Sequence, residues 1–343
     1  MSIIELHHIQ GLCAEEHRAI RIILDSIDRL ELSLSGLTVL TEVGTNYYLY
    51  TPIIAALAGA KRVYAWTGDT PYGLGSETIK KCKELAKKLD VLDRIEFSNN
   101  KQNIQHIESA NIITNSGFLR PIDKNFLRYV NSKKCVVSLM FEAWEFRESD
   151  LDLQACRKAN IKVAGTWENH PSIKVFNATG HLAVKLIMEA GFEVYGNNIA
   201  VWSADDFGIT AAKELKSLAA TSVLLTADKT ELISALPQLD FIYFCDYAGI
   251  SPLIGSGGIL EFDDIKDINP SLGIVHLFGD LDLEECSNHG LRVYPHKNGC
   301  AQVMTETLAY LGPEPSLKLT IAGFKVGQSL ISGDDNDLCQ VLS

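Results

Sequence analysis

The chain has 343 residues, of which 46% are hydrophobic, and a formal net charge of −12. This composition can bury substantial cores, which excludes disorder as the default state, and the negative charge argues against nucleic acid or an anionic membrane as the main partner. At roughly 150 residues per domain, the length predicts two domains.

Eight cysteines are scattered along the chain, with no CxxC pair and no cluster with histidine. We interpret them as reduced thiols and predict no metal site from them. No basic-then-apolar leader precedes a small-residue cleavage site, and no apolar run reaches about 18 residues. The expectation is a soluble, cytoplasmic protein.

The first half of the chain alternates short apolar runs with helical segments, after an amphipathic helix over residues 12–32. This alternation predicts a parallel sheet that helices cover on both faces. The predicted strands are Thr38–Leu40, Arg62–Ala65, Ile95–Phe97, Asn111–Thr114, Cys135–Leu139 and Ile161–Val163. The predicted helices between them are Pro52–Ala60, Glu77–Leu89, Pro121–Val130 and Leu151–Ala159.

A long helix from Pro171 to Ala190, which starts at a proline and stops at Gly191, leads into a second, smaller sheet. The predicted strands of this sheet are Ile199–Trp202, Val223–Leu225, Phe241–Cys245, Ile274–Phe278 and Arg292–Tyr294. Its predicted helices are Phe207–Leu218, Lys229–Leu236, Leu283–His289 and Ala301–Leu311.

The predicted fold class is α/β, with two doubly wound parallel-sheet domains, flavodoxin-like and Rossmann-like, joined by long helices. Residues 1–175 are assigned to an N-terminal α/β substrate-type domain and residues 176–311 to a Rossmann-like dinucleotide-binding domain. Residues 312–343 are assigned to a C-terminal return segment, and the part after Gly333 is expected to be a loose tail because it lacks an apolar pattern.

The stretch from Asn197 to Asp228 has the pattern strand, tight turn, helix, and strand with a terminal acid, which is the unit that binds dinucleotides. Gly208 fits the third glycine of the turn, and Asp228 lies about 20 residues on, where an acid accepts hydrogen bonds from ribose hydroxyls. Ser203 and Asp205 stand at the first two glycine positions. The predicted cofactor-binding residues are Ser203, Asp205, Phe207, Gly208 and Asp228.

Ligands of open α/β sheets bind beyond the carboxyl ends of the strands, and this rule selects the polar loops that follow the strands of the first sheet. Arg120 and Arg147, in two of these loops, can bind a carboxylate or phosphate with their planar guanidinium groups. Four glutamates of these loops are either bases or ion-pair partners of those arginines: Glu42, Glu142, Glu145 and Glu168.

Three histidines, His170, His276 and His296, follow the ends of predicted strands and are candidate proton carriers near neutral pH. A packed or capping role is the alternative for each of them. The chain has no GxSxG and no HExxH motif, which argues against serine hydrolysis and metal catalysis.

Three stretches resemble the D-2-hydroxyacid dehydrogenase family and its relatives of the formate/glycerate dehydrogenase type. Residues Arg147–Ile187 are similar to the family's passage from substrate domain to cofactor domain, and VWSADDFGITAAKEL is similar to its dinucleotide turn. VYPHKNG (Val293–Gly299) is similar to the loop that supplies the family's catalytic acid/base, so by this match His296 is the proton carrier.

The chain departs from the family after the strand Ile274–Phe278, where GDLD replaces the arginine–glycine step that supplies the arginine for the substrate carboxylate. Arg120 or Arg147 would then bind the carboxylate. The predicted catalytic residues are His296, Arg120, Arg147 and Glu142.

The resemblance implies an NAD(P)-dependent oxidoreductase that acts on a small carboxylate-bearing substrate in an interdomain cleft. NAD is favoured over NADP because Asp228 would repel a 2′-phosphate. Related dehydrogenases pair through their cofactor domains, so the resemblance also implies a homodimer.

Two alternatives stay open. One is a non-redox binding or regulatory protein derived from a dehydrogenase, which Ser203, Asp205 and the missing arginine favour. The other is a transferase or hydrolase of an adenosyl compound, because the strand, glycine turn and helix around Thr41–Tyr48 resemble nucleotide-binding halves of methyltransferases.

Overall fold

The computed structural model describes residues 9–100, 103–249 and 252–343. The described residues up to Val175, together with Gly312–Ser343, form one compact unit, and Phe176–Leu311 form a second. The chain therefore leaves the first unit once and returns to it with its last 32 residues.

The first unit contains a seven-stranded sheet. Its strands are β1 (Thr38–Glu42), β2 (Arg62–Trp66), β3 (Ile95–Ser98), β4 (Ile112–Thr114), β5 (Val136–Ser138), β6 (Val163–Thr166) and, near the C-terminus, β12 (Cys339–Val341). They lie in the order β3-β2-β1-β4-β5-β6-β12, and only the edge strand β12 runs antiparallel to its neighbour. The six parallel strands thus have the 3-2-1-4-5-6 order of the Rossmann fold.

Seven helices belong to this unit in the part of the chain that the structure describes. They are α1 (Ala14–Arg29), α2 (Thr51–Leu57), α3 (Gly75–Lys88), α4 (Ile104–Ser109), α5 (Lys124–Leu127), α6 (Leu153–Lys158) and a C-terminal helix (Pro313–Ser332) that is labelled α12 because five helices of the second unit precede it. The ends of α12 follow from its sequence, since Pro313 starts it and Gly333 ends it in the left-handed conformation (φ 76°).

The second unit contains a five-stranded, fully parallel sheet. Its strands are β7 (Asn198–Trp202), β8 (Ser222–Thr226), β9 (Phe241–Phe244), β10 (Gly273–His276) and β11 (Arg292–Tyr294). Its helices are α7 (Ala178–Glu189), α8 (Asp206–Ser217), α9 (Lys229–Ala235), α10 (Phe262–Ile268) and α11 (Leu283–Asn288). The order β8-β7-β9-β10-β11 is 2-1-3-4-5 within the unit, which is the flavodoxin-like order.

Apolar side chains fill both faces of the second sheet, as parallel sheets require. Along the central strand β9, Phe241 and Tyr243 join the hydrophobic cluster on one face, whereas Ile242 and Phe244 join the cluster on the other. All four are buried, which explains why β9 reads as an unbroken apolar run in the sequence.

The prediction of an α/β chain with two parallel sheets is confirmed. Strand order was not predicted for either sheet. The Rossmann order lies in the first unit, and residues 176–311, which are predicted to be a Rossmann-like dinucleotide-binding domain, have the flavodoxin-like order.

Two predicted helices needed correction. The helix predicted from Pro171 begins only at Ala178, because the preceding residues form turns in which Lys174 has a positive φ of 50°. The helix predicted over Ala301–Leu311 does not form. In that segment the Gln302 and Thr305 N–H groups donate to Tyr247 O and Leu277 O, at 2.9 and 2.8 Å, so these groups bond neighbouring loops. Only the short 3₁₀ turn Leu308–Tyr310 is helical.

The C-terminal segment is more ordered than expected. Helix α12 was not predicted as a helix, and the segment expected to be a loose tail contains β12, which pairs with β6 in the register Cys339↔Thr166 and Val341↔Ala164. All eight cysteines are free thiols and five of them are buried.

Gly165 on β6 allows a close approach of two backbone segments. A Cβ at this position would lie 2.5 Å from Ala143 N and 2.9 Å from Phe141 O. Because backbone atoms cannot move aside like a flexible side chain, we expect Gly165→Ala to lower the free energy of unfolding by about 3 kcal/mol. Urea unfolding of the full chain measures this loss.

Gly68→Ala is the matched control, since a Cβ at Gly68 would make an ordinary contact of 3.4 Å with the Phe118 ring. We expect it to change stability by less than about 0.5 kcal/mol. Equal losses in the two variants would contradict the close packing at Gly165.

Candidate functional site

The carboxyl ends of the strands of the first sheet meet at one edge, where buried polar side chains hydrogen-bond with one another. The Thr41 and Thr114 hydroxyls, on β1 and β4, lie 2.8 Å apart, and Thr114 Oγ1 lies 2.7 Å from Ser116 Oγ. The strand order reverses between β1 and β4, and open α/β sheets bind ligands in the crevice at such a point. A ligand of the first unit is therefore expected at this edge.

The two predicted anion-binding arginines lie together and share one carboxylate. Arg120 Nη1 lies 3.2 Å from Asp150 Oδ2, and Arg147 approaches the same oxygen with Nη2 at 2.8 Å and Nε at 2.9 Å. The three side chains are only 15–23% exposed. Burial lowers the pKa of Arg120, and the carboxylates of Asp150 and Glu42 oppose that shift. The two guanidinium groups share one hydrogen-bonded carboxylate, and their planar donor geometry suits a further anion.

Arg120 also orients Asn115, the first residue after β4. Its Nε donates to Asn115 Oδ1 at 3.1 Å, and its Nη2 donates to Asn115 O at 2.7 Å. Asn115 is fully buried, and its Nδ2 has no hydrogen-bond partner among residues 9–100, 103–249 and 252–343. Because buried donors are nearly always paired, Nδ2 marks a position where the described chain does not provide an acceptor.

Glu142, also predicted to be catalytic, is anchored to the protein at both oxygens. Its Oε1 accepts a hydrogen bond of 2.8 Å from Glu168 N, and its Oε2 accepts one from the side-chain amide of Gln340 on β12. The Gln340 carbonyl oxygen in turn accepts from Ala143 N at 2.7 Å. Glu142 therefore joins the loop after β5 to the C-terminal strand.

Two further glutamates, Glu145 and Glu168, lie close to Glu142 and interact with it electrostatically. Burial raises the pKa of Glu145 to about 7, and the neighbouring Glu142 carboxylate contributes to that rise. Burial also raises the pKa of Glu168 well above its ordinary value, with contributions from Glu145 and then Glu142. A carboxyl group that titrates near neutral pH can serve as a general acid or base.

In the second unit, Asp205 caps helix α8 with its own carboxylate. Asp205 Oδ1 accepts from Phe207 N at 2.9 Å and from Ser203 Oγ at 2.8 Å, while Oδ2 accepts from Tyr247 N at 2.6 Å. Ser203 and Phe207 are both buried. The carboxylate thus takes backbone N–H groups that a phosphate would need at this helix end.

The other two predicted cofactor residues have structural roles. At Gly208 a Cβ would lie 2.4 Å from Ser203 Cβ, so this glycine serves close helix–strand packing, as the third glycine of a dinucleotide turn does. Asp228 caps α9 by accepting from Thr230 N at 2.7 Å and Glu231 N at 3.2 Å. The turn therefore has the packing of a dinucleotide site, but with Asp205 in place it does not fit a pyrophosphate.

The three candidate histidines differ in their environments. His296 is exposed on the loop after β11, with its ring 6.2 Å from the Tyr294 ring. His276 is fully buried, its Nε2 lies 3.1 Å from Pro295 O, and burial lowers its pKa to about 4. His170 pairs with Asp337 at 3.0 Å and is partly buried. Of the three, only His296 is exposed.

The predicted catalytic residues fall in different units. Arg120, Arg147 and Glu142 belong to the first unit, and His296 belongs to the second.

Three residues of the first-sheet edge were not predicted. Asn115 directly follows the predicted strand Asn111–Thr114, and Asp150 lies three residues after Arg147, so both positions carried a signal in the sequence. Gln340 lies in the segment expected to be a tail, where no signal marked it.

No known family model matches the chain, and no curated protein is significantly similar to it in sequence. Several solved structures, however, are similar to this chain in fold. A dipicolinate synthase structure from Bacillus subtilis is 12% identical, and the match covers 89% of this chain and 100% of that chain with a TM-score of 0.55. The dipicolinate synthase structure from Bacillus halodurans is 12% identical over 88% of this chain and 98% of that chain, with a TM-score of 0.51.

The apo structure of D-lactate dehydrogenase from Escherichia coli is also 12% identical, over 88% of this chain and 99% of that chain, with a TM-score of 0.50. The chain therefore has the fold of these D-lactate dehydrogenase and dipicolinate synthase structures. The expected resemblance is confirmed for the fold alone, because structures at 12% sequence identity do not show a shared activity.

Within the described ranges, no helix has both the length and the apolar character needed to cross a membrane. The same residues include no group of three or more His, Cys, Asp or Glu side chains arranged to hold a metal ion.

Removal of the shared carboxylate should destabilise the first unit. We expect Asp150→Asn to lower the free energy of unfolding by about 3 kcal/mol, because two largely buried guanidinium groups lose their counter-charge. Asp25→Asn is the control, since Asp25 forms an exposed pair of 2.6 Å with Arg29 on α1. Asp25→Asn should lower the free energy of unfolding by at most about 0.5 kcal/mol in the same chemical-denaturation measurement. Equal decreases in the two variants would contradict the importance of the Asp150 carboxylate for stability.

The buried glutamates should make stability fall as pH rises. In the unfolded chain a glutamate titrates near pH 4.3, whereas the pKa of Glu145 in the folded chain is about 7 and that of Glu168 is also raised. The native state therefore holds more protons than the unfolded state, and the free energy of unfolding declines from about pH 4 to above pH 7. Unfolding titrations at several pH values between 5 and 8 measure this slope.

Glu168→Gln, which imitates the protonated form, should reduce that slope. Glu314→Gln is the comparison, because the ammonium group of Lys318 lowers the pKa of Glu314. The contribution of Glu314 is present above the unfolded pKa and is lost only as pH falls, so its removal should leave the slope between pH 5 and 8 unchanged. A wild-type slope in Glu168→Gln would show that Glu168 is ionised throughout this range.

Proposed function

We propose that this chain is an NAD(P)-dependent oxidoreductase of the D-2-hydroxyacid dehydrogenase type that acts on a small carboxylate-bearing substrate. The observation that carries the proposal is the fold, which matches that of D-lactate dehydrogenase over nearly the whole of both chains. A bound nicotinamide would accept or deliver the hydride. The chain itself must then bind the substrate carboxylate and move one proton.

Arg120 and Arg147 are the groups that would bind the carboxylate. They lie at the carboxyl edge of the first sheet and face one shared counter-ion, Asp150. A substrate carboxylate would supply the second negative charge, with the bidentate geometry that guanidinium groups favour. Arg120 also lies over the Phe141 ring, 5.3 Å from its centroid, which restricts its position.

His296 is the proposed proton carrier, with Glu142 as a further candidate of the catalytic set. The exposure of His296 leaves its imidazole accessible to a substrate hydroxyl or carbonyl, whereas His276 is fully buried. NAD is proposed over NADP because an exposed acid, Asp69, follows the second strand of the sheet that has the Rossmann order. This acid would repel a 2′-phosphate. A homodimer is proposed from the family resemblance.

One observation favours a second function, the transfer or hydrolysis of an adenosyl compound. Glu42, the last residue of β1, places its carboxylate at the β1/β4 crevice, where Oε2 accepts from Phe118 N at 3.2 Å. The negative charge of Glu42 would attract the ammonium and sulfonium groups of an S-adenosyl compound, which carries no phosphate.

Calorimetric titration of the ligand-stripped chain with NAD⁺, NADH, NADP⁺ and S-adenosylhomocysteine separates the two functions. We expect micromolar binding of NAD⁺ and NADH, followed by NADH oxidation, seen in its absorbance, with one or more 2-oxo acids. Binding of S-adenosylhomocysteine alone would replace the oxidoreductase with the second function. Absence of binding to all four would contradict both.

The role of His296 is tested in the same assay. His296→Asn should abolish turnover and retain cofactor binding, because the side chain moves the proton and does not hold the nucleotide. His289→Asn is the matched control in the same unit, since His289 is exposed and stacks on Phe262 at 4.2 Å. Full activity in His296→Asn would remove this histidine from the mechanism.

A further inference from the structure

The crevice at the reversal point of the second sheet, between β7 and β9, is closed by two aspartates that bond across it. Asp205, after β7, accepts from Tyr247 N at 2.6 Å. In return Asp246, after β9, accepts from Ala204 N at 3.3 Å and from Ala248 N at 3.0 Å. The two loops that would have to separate around a ligand are thus held together by reciprocal carboxylate–backbone bonds.

Three aromatic rings fill the space beside these loops. Phe207 stacks on Tyr247 with a centroid separation of 6.1 Å, and both rings pack edge-on against Phe278, at 5.0 and 5.5 Å. All three side chains are less than 10% exposed. This crevice is therefore occupied by the protein's own carboxylates and rings.

The corresponding crevice of the first sheet, between β1 and β4, is built differently. The carboxylate of Glu42 accepts across it from Phe118 N. At the end of β4 the fully buried Asn115 has its Oδ1 fixed by Arg120 and its Nδ2 without an acceptor among the described residues. Asn115 Nδ2, at the end of β4 beside this crevice, is thus a buried donor whose acceptor the described chain does not supply.

A cavity of about 140 Å³ lies between the loops after β1 and β2. Thr45 and Leu49 line one side of it, and Tyr72 and Leu74, which are 74% and 50% exposed, line the other. Asp69, in the loop after β2, does not line the cavity itself; it is exposed, and its Oδ1 accepts from Gly75 N at 2.8 Å. An exposed tyrosine and leucine suit a planar base, and a carboxylate after the second strand suits ribose hydroxyls.

We infer that the first unit, and not the turn Ser203–Gly208, holds an adenosine-bearing ligand at the carboxyl edge of its sheet, with the β1/β4 crevice and the cavity between the loops after β1 and β2 as its binding surfaces. The 3-2-1-4-5-6 strand order, the Asn115 amide without an acceptor among the described residues, and the position of Asp69 all point to this sheet. The inference rests on the proposed function and specifies where its nucleotide binds. NAD⁺ and S-adenosyl compounds both contain adenosine, so the ligand class is common to the two functions.

Asp69 and Asp228 provide a matched pair of variants. Each follows the second strand of its sheet, is exposed, and accepts a backbone N–H at the start of the next helix. Alanine at either position should therefore reduce stability similarly. In titrations with NAD⁺ and S-adenosylhomocysteine, we expect Asp69→Ala to weaken binding about tenfold or more, as loss of a charged hydrogen bond does, and Asp228→Ala to leave binding unchanged.

Hydrogen–deuterium exchange of the unmodified full chain supplies an independent readout. With either probe bound, protection should appear in residues 43–49, 67–78 and 114–118, and not in residues 203–208. Protection confined to 203–208, or weaker binding only in Asp228→Ala, would overturn the inference and leave the oxidoreductase standing.

Two other outcomes separate the inference from the proposed function. Binding of S-adenosylhomocysteine alone, with protection in the first unit, would support the inference and overturn the oxidoreductase. Absence of binding to both probes by the unmodified chain would overturn the two together.

Discussion

The first unit depends on helix α12, which returns from the end of the chain and lies against the middle of its sheet. The contact is close because the helix carries glycines where it meets the strands. A Cβ at Gly323 would lie 2.4 Å from Met140 Sδ, and one at Gly327 would lie 2.8 Å from Ile112 Cγ2. Ser138 on β5 completes the contact by donating to Gly323 O at 2.7 Å. Without this helix the apolar face of β4 and β5 would be exposed to water.

The same helix shows where sequence reasoning works and where it fails. Parallel strands are buried on both faces, so each reads as a short apolar run, and the parallel strands of both sheets were found to within a few residues. Helix α12 was not predicted, because glycine, serine and threonine at its packed positions weaken its helical sequence pattern. In the folded unit these small residues are favourable, since they allow close contact with the sheet. The strand β12 was missed because pairing with β6, which is distant in sequence, creates it.

Site residues were predictable to the extent that strand ends are predictable. Arg120, Arg147 and Glu142 follow strands, and the sheet places them at one edge, as the rule for open α/β sheets requires. Their partners were not predictable in the same way. The bond from Gln340 to Glu142 joins segments almost 200 residues apart, and the unpaired Asn115 Nδ2 is a property of the folded environment that residue type does not reveal. Strand order was also out of reach, because the pattern of alternation is the same for both orders.

The two acidic residues at the crevices, Asp205 and Glu42, have different physical consequences despite their similar positions after the first strand of each sheet. Asp205 makes three hydrogen bonds with groups of its own unit, two of them with backbone N–H groups that an anion would otherwise use. An external phosphate would have to displace the Asp205 carboxylate and then face its charge, so the helix end is satisfied without a ligand.

Glu42 accepts from Phe118 N and lies near Arg120, which supplies a compensating charge. Beside its crevice, Asn115 Nδ2 has no acceptor among the described residues, so an acceptor from a bound molecule would satisfy it. The resemblance to a dinucleotide turn at residues 203–208 reflects a requirement of packing at Gly208, which a fold can keep after the ligand-binding role of the turn is lost.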